Sequence, residues 1–257
     1  IPAGNTITTA TLTVTSAVNT AAGSYSFTVT STDSYGSITS SSSSSFVVDK
    51  ATLNVTARAS DKVYDGNTTA AITLSSYKLS GDVVTINYAA ANFNTAAVGT
   101  NKPVTVTGIS ISGTDASNYT LASTTASATA NITKAVTSIS VVSNNNSSCF
   151  GSSTTFTATI SSSPSPATGQ VQFFDAATLL ATSAVSGNTA TYTTTSLTVG
   201  SHSITVKYLG DDNFSSSPVS PGLSQTVNAI PTIATVTPAS RCGIGSVILG
   251  AVPSTGI

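Results

Sequence analysis

The sequence predicts an all-β protein made of tandem β-sandwich domains in an elongated rod. Three observations support this prediction. Thr, Val, Ile, Ser and Tyr dominate the segments between Gly and Asn residues, those segments alternate apolar with polar residues, and no segment shows helical periodicity. Strand patterns that recur about every 8 to 12 residues are typical of sandwich domains.

Four segments show the alternation most clearly. Because successive side chains of a strand point to opposite faces, every second residue of each segment is predicted to face a core. The predicted inward residues are Leu53, Val55 and Ala57 in TLNVTARA; Val84, Ile86 and Tyr88 in DVVTINYA; Phe156, Ala158 and Ile160 in STTFTATIS; and Ile204, Val206 and Tyr208 in SHSITVKY.

The composition excludes several classes of function. The chain has 257 residues, of which 39% are hydrophobic and only 7% are charged, and its net charge is −1. Without a cluster of Lys or Arg it is not expected to bind nucleic acid. No apolar stretch approaches the roughly 20 residues needed to cross a bilayer. The N-terminus lacks the pattern of an export signal, so any such signal is expected to lie upstream or to have been removed.

Three similar junctions predict the domain boundaries. FVVDKA at 46–51, NITKA at 131–135 and QTVNAIP at 225–231 each end one alternating run and begin the next. Their junction alanines are about 84 and 94 residues apart, close to the size of one seven-stranded sandwich. The predicted domains are therefore the end of one domain (1–49), two complete domains (50–134 and 135–228), and the start of another (229–257). Short junctions are expected to limit hinge motion.

A run of six serines, Ser40–Ser45, allows two interpretations. The run could be a flexible tether. It could also be an outer strand with small side chains, because it follows the turn signal DSYG and continues into FVVDK.

The stretch DKVYDGNTTA at 61–70 concentrates charge in a chain that is otherwise nearly uncharged. A catalytic acid and base would need two carboxylates whose surroundings split their pKa values. Asp61 and Asp65 instead flank an Asp-Gly pair, which is a strong turn signal because Gly tolerates positive φ. The stretch is therefore predicted to be a backbone corner.

The segments KVYDGNTTA, SGDVVTINY, AAVGTNKPVTVTGISISG and DASNYTLAS, between residues 62 and 123, resemble the YDG domain. This domain is a β-sandwich repeat of large bacterial surface proteins. The resemblance covers nearly all of residues 50–134. It implies that Tyr64 anchors the loop on the core and that Asp65 and Gly66 make the turn.

Three other parts of the chain resemble Ig-like repeats. FGSSTTFTATI, the segment 167–197 and VGSHSITVKYLGDDNFSSS are similar to bacterial Ig-like repeats of adhesins. Residues 1–49, with GSYSFTVTSTDSYG at 23–36, resemble the last strands of a cadherin-like or Ig-like module. Residues 231–251 resemble the opening of Ig-like repeats in secreted Bacteroidota proteins. In those repeats a cysteine at the position of Cys242 pairs with a later one, which this sequence lacks. Asp33-Ser34 resembles an O-glycosylation signal of Bacteroidota, although Tyr35 departs from its aliphatic third position.

The two cysteines and the single histidine give no catalytic pattern. Cys149 and Cys242 are predicted to lie about one domain apart and to form no bond, with Cys149 a small buried hydrophobic residue. His202 lacks a serine nucleophile motif and a carboxylate relay in the sequence, so it is assigned a structural or surface role.

Two further groups could bind a ligand. Asp211, Asp212 and Asn213 form the best oxygen cluster for calcium, but a hairpin turn is favoured because Asp175, Asp115 and the other carboxylates are scattered. Phe173 and Phe174 must point to opposite faces of one strand, so one of them could be a sugar-stacking platform; partial cover by a neighbouring loop is favoured.

No catalytic, cofactor-binding or metal-binding residue is therefore predicted, and the chain is not expected to be an enzyme. The resemblances imply a stalk segment of a giant exported cell-surface adhesin, attached to the outer membrane, like gliding-motility adhesins exported by the type IX route. Expected partners are neighbouring Ig-like domains, secretion or motility machinery, and a surface polysaccharide. The alternative is a carbohydrate- or surface-binding module of a secreted multidomain protein, using aromatics such as Tyr77, Phe93 or Phe174.

Overall fold

The computed structural model describes residues 13, 20–33, 36–39, 45–164, 166–237, 243 and 250–253. Its elements up to residue 133 are strands and one 3-10 helix, Ala116–Asn118. The strands are β1 Gly23–Ser26, β2 Thr30–Asp33, β3 Gly36–Thr39, β4 Ser45–Val48, β5 Ala51–Leu53, β6 Val55–Ala59, β7 Lys62–Val63, β8 Ile72–Ser76, β9 Thr85–Asn87, β10 Ala90–Phe93, β11 Gly99–Thr107, β12 Ser110–Ser112, β13 Tyr119–Leu121 and β14 Thr125–Thr133.

The remaining described elements are all strands. They are β15 Ser138–Ser143, β16 Ser147–Cys149, β17 Thr154–Ser161, β18 Gln170–Asp175, β19 Thr178–Ala184, β20 Thr189–Thr194, β21 Gly200–Tyr208, β22 Leu223–Asn228, β23 Ile233–Thr237 and β24 Gly250–Pro253. No α-helix occurs in the described part of the chain, as the lack of helical periodicity predicted.

The chain divides into two compact units. The first contains the residues up to Ser60, Thr68–Asn94 and Asn101–Ala130. The second contains Asp61–Asn67, Thr95–Thr100 and the residues from Asn131 onward. The segment with the Tyr-Asp-Gly motif therefore belongs to the second unit, although the sequence around it continues in the first.

The first unit is built from short paired strands. β1 pairs with β4 and β2 with β3, both antiparallel, and β6 pairs with β8, β9 with β12 and β10 with β11 in the same sense. β5 pairs with β13 in parallel. Its buried hydrophobic residues include Leu53, Phe93, Val104, Val106 and Tyr119.

The first predicted alternating segment is confirmed, and the second only in part. Leu53 is fully buried and the strand breaks at Asn54, so that β5 and β6 are separate elements. Tyr88 was predicted to face the core and is instead 44% exposed. The reason is that β9 ends at Asn87, one residue earlier, so strand alternation no longer decides where Tyr88 points.

The second unit contains an Ig-like β-sandwich. One sheet has the order β15-β17-β20, and the facing sheet has the order β16-β22-β21-β18-β19. The first two strands lie in different sheets: β15 pairs antiparallel with β17, whereas β16 pairs in parallel with β22, the last strand of the sandwich. Two packed sheets with about this number of strands are the architecture of the Ig-like class.

The core of the sandwich contains the residues that alternation predicted. Phe156, Ala158 and Ile160 of β17 are buried, and so are Ile204, Val206 and Tyr208 of β21. Val171 and Phe173 of β18 complete the same cluster. Full burial of a large apolar side chain stabilises a fold by about 1.5 to 3 kcal/mol, so this cluster stabilises the unit strongly.

Several predictions concern residues outside the described ranges. Ser34, Ser40–Ser44 and Cys242 are among them, and only Ser45 of the serine run is described, as the first residue of β4. β23 and β24 pair antiparallel. In the part of the chain that the structure describes, no helix has the length and apolar character of a membrane span.

Candidate functional site: the Tyr-Asp-Gly loop and other polar clusters

The Tyr-Asp-Gly loop is the turn that the sequence predicted. Gly66 has a φ of +77°, in the left-handed region that favours glycine. Asp65 Oδ1 accepts a hydrogen bond from the Asn67 N–H at 3.1 Å, which stabilises the turn. Lys62 Nζ donates to the same oxygen at 2.7 Å and to the Asn67 carbonyl at 2.8 Å. The charged residues of the loop therefore hold its own backbone.

The two carboxylates of the loop do not form an acid and base pair. Hydrogen bonds from the backbone and then the side-chain amide of Asn131 lower the pKa of Asp61. The hydrogen bond from Lys62 lowers the pKa of Asp65. Because both pKa values move in the same direction, both groups are ionised at neutral pH, and neither is suited to donate a proton.

Tyr64 anchors the loop on a core, as the resemblance implies, and the structure identifies that core. The Tyr64 ring meets the Phe214 ring edge to face, with centroids 5.5 Å apart and an angle of 88° between the planes. Phe214 is 2% exposed and belongs to the core cluster of the Ig-like sandwich, against which Tyr64 packs. Nothing in the sequence could link residues that are so far apart in the chain.

Asp211 is the most heavily hydrogen-bonded carboxylate described. Its Oδ1 accepts from the N–H groups of Asn213 and Phe214, each at 2.8 Å. Its Oδ2 accepts from the N–H of Thr168 at 2.8 Å and from the hydroxyl at 2.7 Å. Burial alone would raise the pKa of Asp211, but these hydrogen bonds outweigh it and lower the pKa to about 2.

This geometry favours the turn that was predicted over a calcium site. The Asp211 N–H also donates to the Phe214 carbonyl at 3.1 Å, which closes the turn. Asn213 Oδ1 accepts from the Val98 N–H at 3.2 Å, so this amide is also in use. The turn is not a tight hairpin, because residues 209–222 separate β21 from β22.

His202 has a carboxylate partner that sequence reasoning missed. Its Nδ1 lies 2.6 Å from Asp175 Oδ2, and its Nε2 lies 2.8 Å from the Thr198 carbonyl. Burial lowers the pKa of His202, but the Thr198 carbonyl and the Asp175 carboxylate outweigh that effect, so the pKa is raised. Both ring nitrogens face acceptors, so the protonated ring, which can donate from both nitrogens, satisfies both contacts and holds the Asp175 carboxylate and the Thr198 carbonyl in place.

An acidic cleft of about 120 Å³ lies in the first unit. Asp49, Asp82 and Asp115 line it together with Asn118 and Tyr119. The sequence suggested that Asp115 is isolated from other carboxylates. The fold brings it into one cleft with Asp49 and Asp82, which are distant in the chain. Asp82 Oδ2 accepts from the Tyr119 hydroxyl at 2.6 Å, which raises the pKa of Tyr119. Asp115 Oδ2 accepts from the Val83 N–H at 2.8 Å.

No group of three or more His, Cys or acidic side chains is arranged to hold a metal ion among the described residues. In the cleft, Asp82 and Asp115 are turned toward donors of the protein. Two of the three carboxylates of the cleft therefore accept hydrogen bonds from groups of the protein.

The prediction that Cys149 is buried is wrong. Cys149 is an exposed free thiol, and its neighbour Ser148 is the residue of β16 that faces inward. Ser148 is 4% exposed and accepts hydrogen bonds from the Thr154 hydroxyl and the Gln225 amide. The inward-facing position of β16 is therefore Ser148 and not Cys149, one residue earlier than predicted. The core tolerates the Ser148 hydroxyl because it has hydrogen-bond partners.

The aromatic residues considered for ligand binding differ in how far they are exposed. Tyr77 is 91% exposed, whereas Phe93 is only 3% exposed, so Phe93 is wrong as a surface ligand-binding residue. Phe93 is the last residue of β10, and its pairing with Val104 of β11 places it in the core of the first unit. Phe173 is fully buried and Phe174 is half-buried, as expected for neighbours on opposite faces of one strand, and the cover of Phe174 by a neighbouring loop stays a prediction.

These observations define a class: Ig-like β-sandwich units whose polar clusters maintain backbone structure. The family model described as YDG domain matches residues 48–128, and the one described as bacterial Ig-like domain (group 3) matches residues 140–228. These matches confirm the resemblances to the YDG domain and to bacterial Ig-like repeats, whereas the resemblances of 1–49 and of 231–251 stay predictions. Comparison with curated proteins finds no match.

Several solved structures are similar to parts of the chain. Fibronectin(III)-like modules of Clostridium thermocellum CbhA share 20% identity over 35% of this chain and 93% of that chain, with a TM-score of 0.29. The Yersinia pseudotuberculosis adhesin InvE shares 12% identity over 68% and 58%, with a TM-score of 0.31. The Escherichia coli adhesin FdeC shares 14% identity over 80% and 74%, with a TM-score of 0.33. The fold class rests on the strand topology and the family matches.

Proposed function

We propose that this chain is a stalk segment of a large exported cell-surface adhesin, in which it spaces a distal adhesive region from the cell and transmits force. The YDG and bacterial Ig-like matches support this role. The proposed domains remain 1–49, 50–134, 135–228 and 229–257. The hydrogen bonds of Asp65, Asp211 and His202 stabilise backbone turns, which suits a segment that works through its structure.

The observation that carries this proposal is the parallel pairing of β16, the second strand of the Ig-like sandwich, with β22, its last strand. Tension that passes β15 and reaches this pair pulls the beginning of β16 and the end of β22 in opposite directions. In a parallel pair this force acts along the strands, so all the hydrogen bonds between them are loaded together. An antiparallel pair in the same position would instead open one bond at a time.

The contacts of this strand pair extend beyond the paired residues. The Phe150 N–H donates to the Asn228 carbonyl at 2.8 Å, and the Thr226 N–H donates to the Asn146 carbonyl at 2.9 Å. The Asn228 amide also donates to the Ser147 hydroxyl at 3.0 Å. These bonds lie on both sides of the ladder, so they would have to break together with it.

Single-molecule force spectroscopy of the full chain between reference domains tests the force-bearing role. We expect the Ig-like sandwich to unfold in one step, and Phe150→Pro to lower its unfolding force because one donor of the strand pair is removed. Val219→Pro, at an exposed loop residue outside the pair, is the matched control. An unfolding force that is equal in the two variants would contradict the proposal.

The proposed location is the cell surface, with attachment to the outer membrane. The proposed partners are the neighbouring Ig-like domains, the secretion or motility machinery and a surface polysaccharide, and the proposed setting is gliding motility with type IX export. Antibodies against this chain should label intact cells of the source organism. Loss of labelling after deletion of the type IX export genes would support the route, and unchanged labelling would exclude it.

A carbohydrate-binding module is the second candidate, and one observation favours it. Tyr77 is 91% exposed and Leu79 beside it is 51% exposed, and an exposed aromatic ring can stack on a sugar. A glycan array with the full chain tests this function. Saturable binding that Tyr77→Ala abolishes would support it over the stalk role, and binding that survives this change would exclude Tyr77 as the platform.

A further inference from the structure

The Tyr-Asp-Gly loop, defined as residues 61–67, is bound to the end of β14 by backbone contacts. β7, within the loop, pairs in parallel with Ile132 and Thr133 at the end of β14, all within the second unit. The Tyr64 N–H donates to the Thr133 carbonyl at 2.8 Å. Asp61 accepts from the N–H and the side-chain amide of Asn131, at 2.7 and 2.9 Å. Residues 131–133 thus hold one side of the loop.

Tyr64 contacts a site that is held in place independently of the loop. The Phe214 ring lies in a turn whose N–H groups are bound by the Asp211 carboxylate. Ala135 supports the same turn, because its N–H donates to the Asn213 carbonyl at 3.0 Å and its carbonyl accepts from the Ser215 N–H at 2.9 Å. The surface that receives Tyr64 is therefore preorganised, which reduces the entropic cost of binding.

The glycine of the motif allows the close approach of the loop to the sandwich. A Cβ atom at Gly66 would lie 3.1 Å from Pro164 Cγ, which is closer than ordinary van der Waals contact. The φ of +77° at the same residue also disfavours any other amino acid. Tyr64 contributes the ring that packs on Phe214, and Gly66 leaves room for Pro164 because it has no side chain. The motif therefore fits this surface.

We propose that the Tyr-Asp-Gly loop, held on one side by the end of β14, is a docking element whose partner is the surface of the Ig-like sandwich at Pro164 and Phe214. This role gives each residue of the motif a specific function. Tyr64 is the anchor, Asp65 holds the turn with Lys62, and Gly66 permits contact. The sequence range that matches the bacterial Ig-like family, 140–228, lacks both the loop and residues 131–133. The sandwich therefore receives one of its core contacts, the Tyr64 ring, from the sequence that precedes its family boundary.

Hydrogen exchange of the full chain, followed by mass spectrometry, tests this role. Tyr64→Ala should remove the cover from Phe214 and accelerate exchange of the Asn213, Phe214 and Ser215 amides about tenfold, while the amides of β17 and β18 keep their protection. Tyr64→Phe keeps the ring and should stay within about twofold of the parent protein. Tyr77→Ala is the matched control, because the same substitution is made at a residue that is 91% exposed.

The pairwise nature of the contact is tested by combining Tyr64→Ala with Phe214→Leu. If the rings stabilise each other, the double variant should exchange less rapidly than the product of the two separate effects predicts. If Tyr64→Ala does not fold, as judged by circular dichroism, Tyr64→Leu takes its place in the same comparison. Exchange at 213–215 that is unchanged by the loss of the ring would overturn the proposal. So would a uniform loss of protection throughout the sandwich, because that indicates general destabilisation.

Discussion

The carboxylate of Asp211 accepts two hydrogen bonds from Thr168, one from its N–H at 2.8 Å and one from its hydroxyl at 2.7 Å. The other carboxylate oxygen holds the turn that contains Phe214. One side chain therefore joins the segment before β18 to the segment after β21. Such a carboxylate stabilises the fold most when it is ionised, because it can then accept hydrogen bonds from all of its donors.

Asp211 should make the Ig-like sandwich sensitive to acid. Its pKa of about 2 is below the ordinary value of 3.8, so ionisation favours the folded state. The contribution is complete above about pH 4 and is lost as pH falls through about 2; its size is about 2 kcal/mol. Urea unfolding at pH 6 and at pH 2.5 measures it. Asp211→Asn should lose most of this contribution, whereas Asp212→Asn, at an exposed neighbour, should keep it.

His202 should have the opposite pH dependence. Its pKa is raised in the folded state, so protonation favours folding. The stabilisation is complete below the unfolded pKa of about 6.5 and is lost as pH rises through the higher folded pKa. At pH 5.5, His202→Gln should lower the free energy of unfolding by about 1 kcal/mol. In this variant the free energy of unfolding should no longer decrease as pH rises above about 6.5. A parent protein whose stability is constant from pH 5.5 to 8.5 would contradict this assignment.

Gly151 and Gly169 allow the cost of backbone strain to be measured apart from the cost of a steric clash. Gly151 and Gly169 have similar φ values of +80° and +86°. A Cβ at Gly169 would lie 2.5 Å from the Gly210 carbonyl oxygen, whereas a Cβ at Gly151 would meet no described atom within 4 Å. Gly151→Ala should therefore cost about 1 kcal/mol of strain, and Gly169→Ala about 2 kcal/mol more. Thermal unfolding of the two variants measures the difference, and equal costs would disprove the contact.

The neighbouring residues Phe173 and Phe174 should respond very differently to truncation. Phe173 is fully buried in the core cluster and Phe174 is half-buried on the other face of β18. Phe173→Ala should destabilise the sandwich by about 3 to 5 kcal/mol. Phe174→Ala should cost about 1 kcal/mol, because it removes less apolar area from the protein. Urea unfolding of both variants measures this contrast, and similar losses would mean that β18 is not oriented as described.

Local pattern predicted the strands and the turns. Alternation placed Ile204, Val206 and Tyr208 in the core, because a strand with one buried face requires an apolar residue at every second position. The Asp65-Gly66 turn was predicted for a similar reason: the positive φ of Gly66 and the hydrogen bond to Asp65 are properties of adjacent residues. Alternation failed for Tyr88 and Cys149, where strand ends and buried hydroxyl groups change the pattern.

The sequence by itself determined the fold class, the two family resemblances and the corner in the Tyr-Asp-Gly stretch, because each depends on residues that are close together in the chain. Only the tertiary structure decided that Tyr64 packs on Phe214, that Asp175 holds His202, and that Asp49, Asp82 and Asp115 share a cleft. Each of these contacts joins distant residues. Their distances depend on how strands are paired and sheets are packed, and no local pattern of amino acids encodes that arrangement.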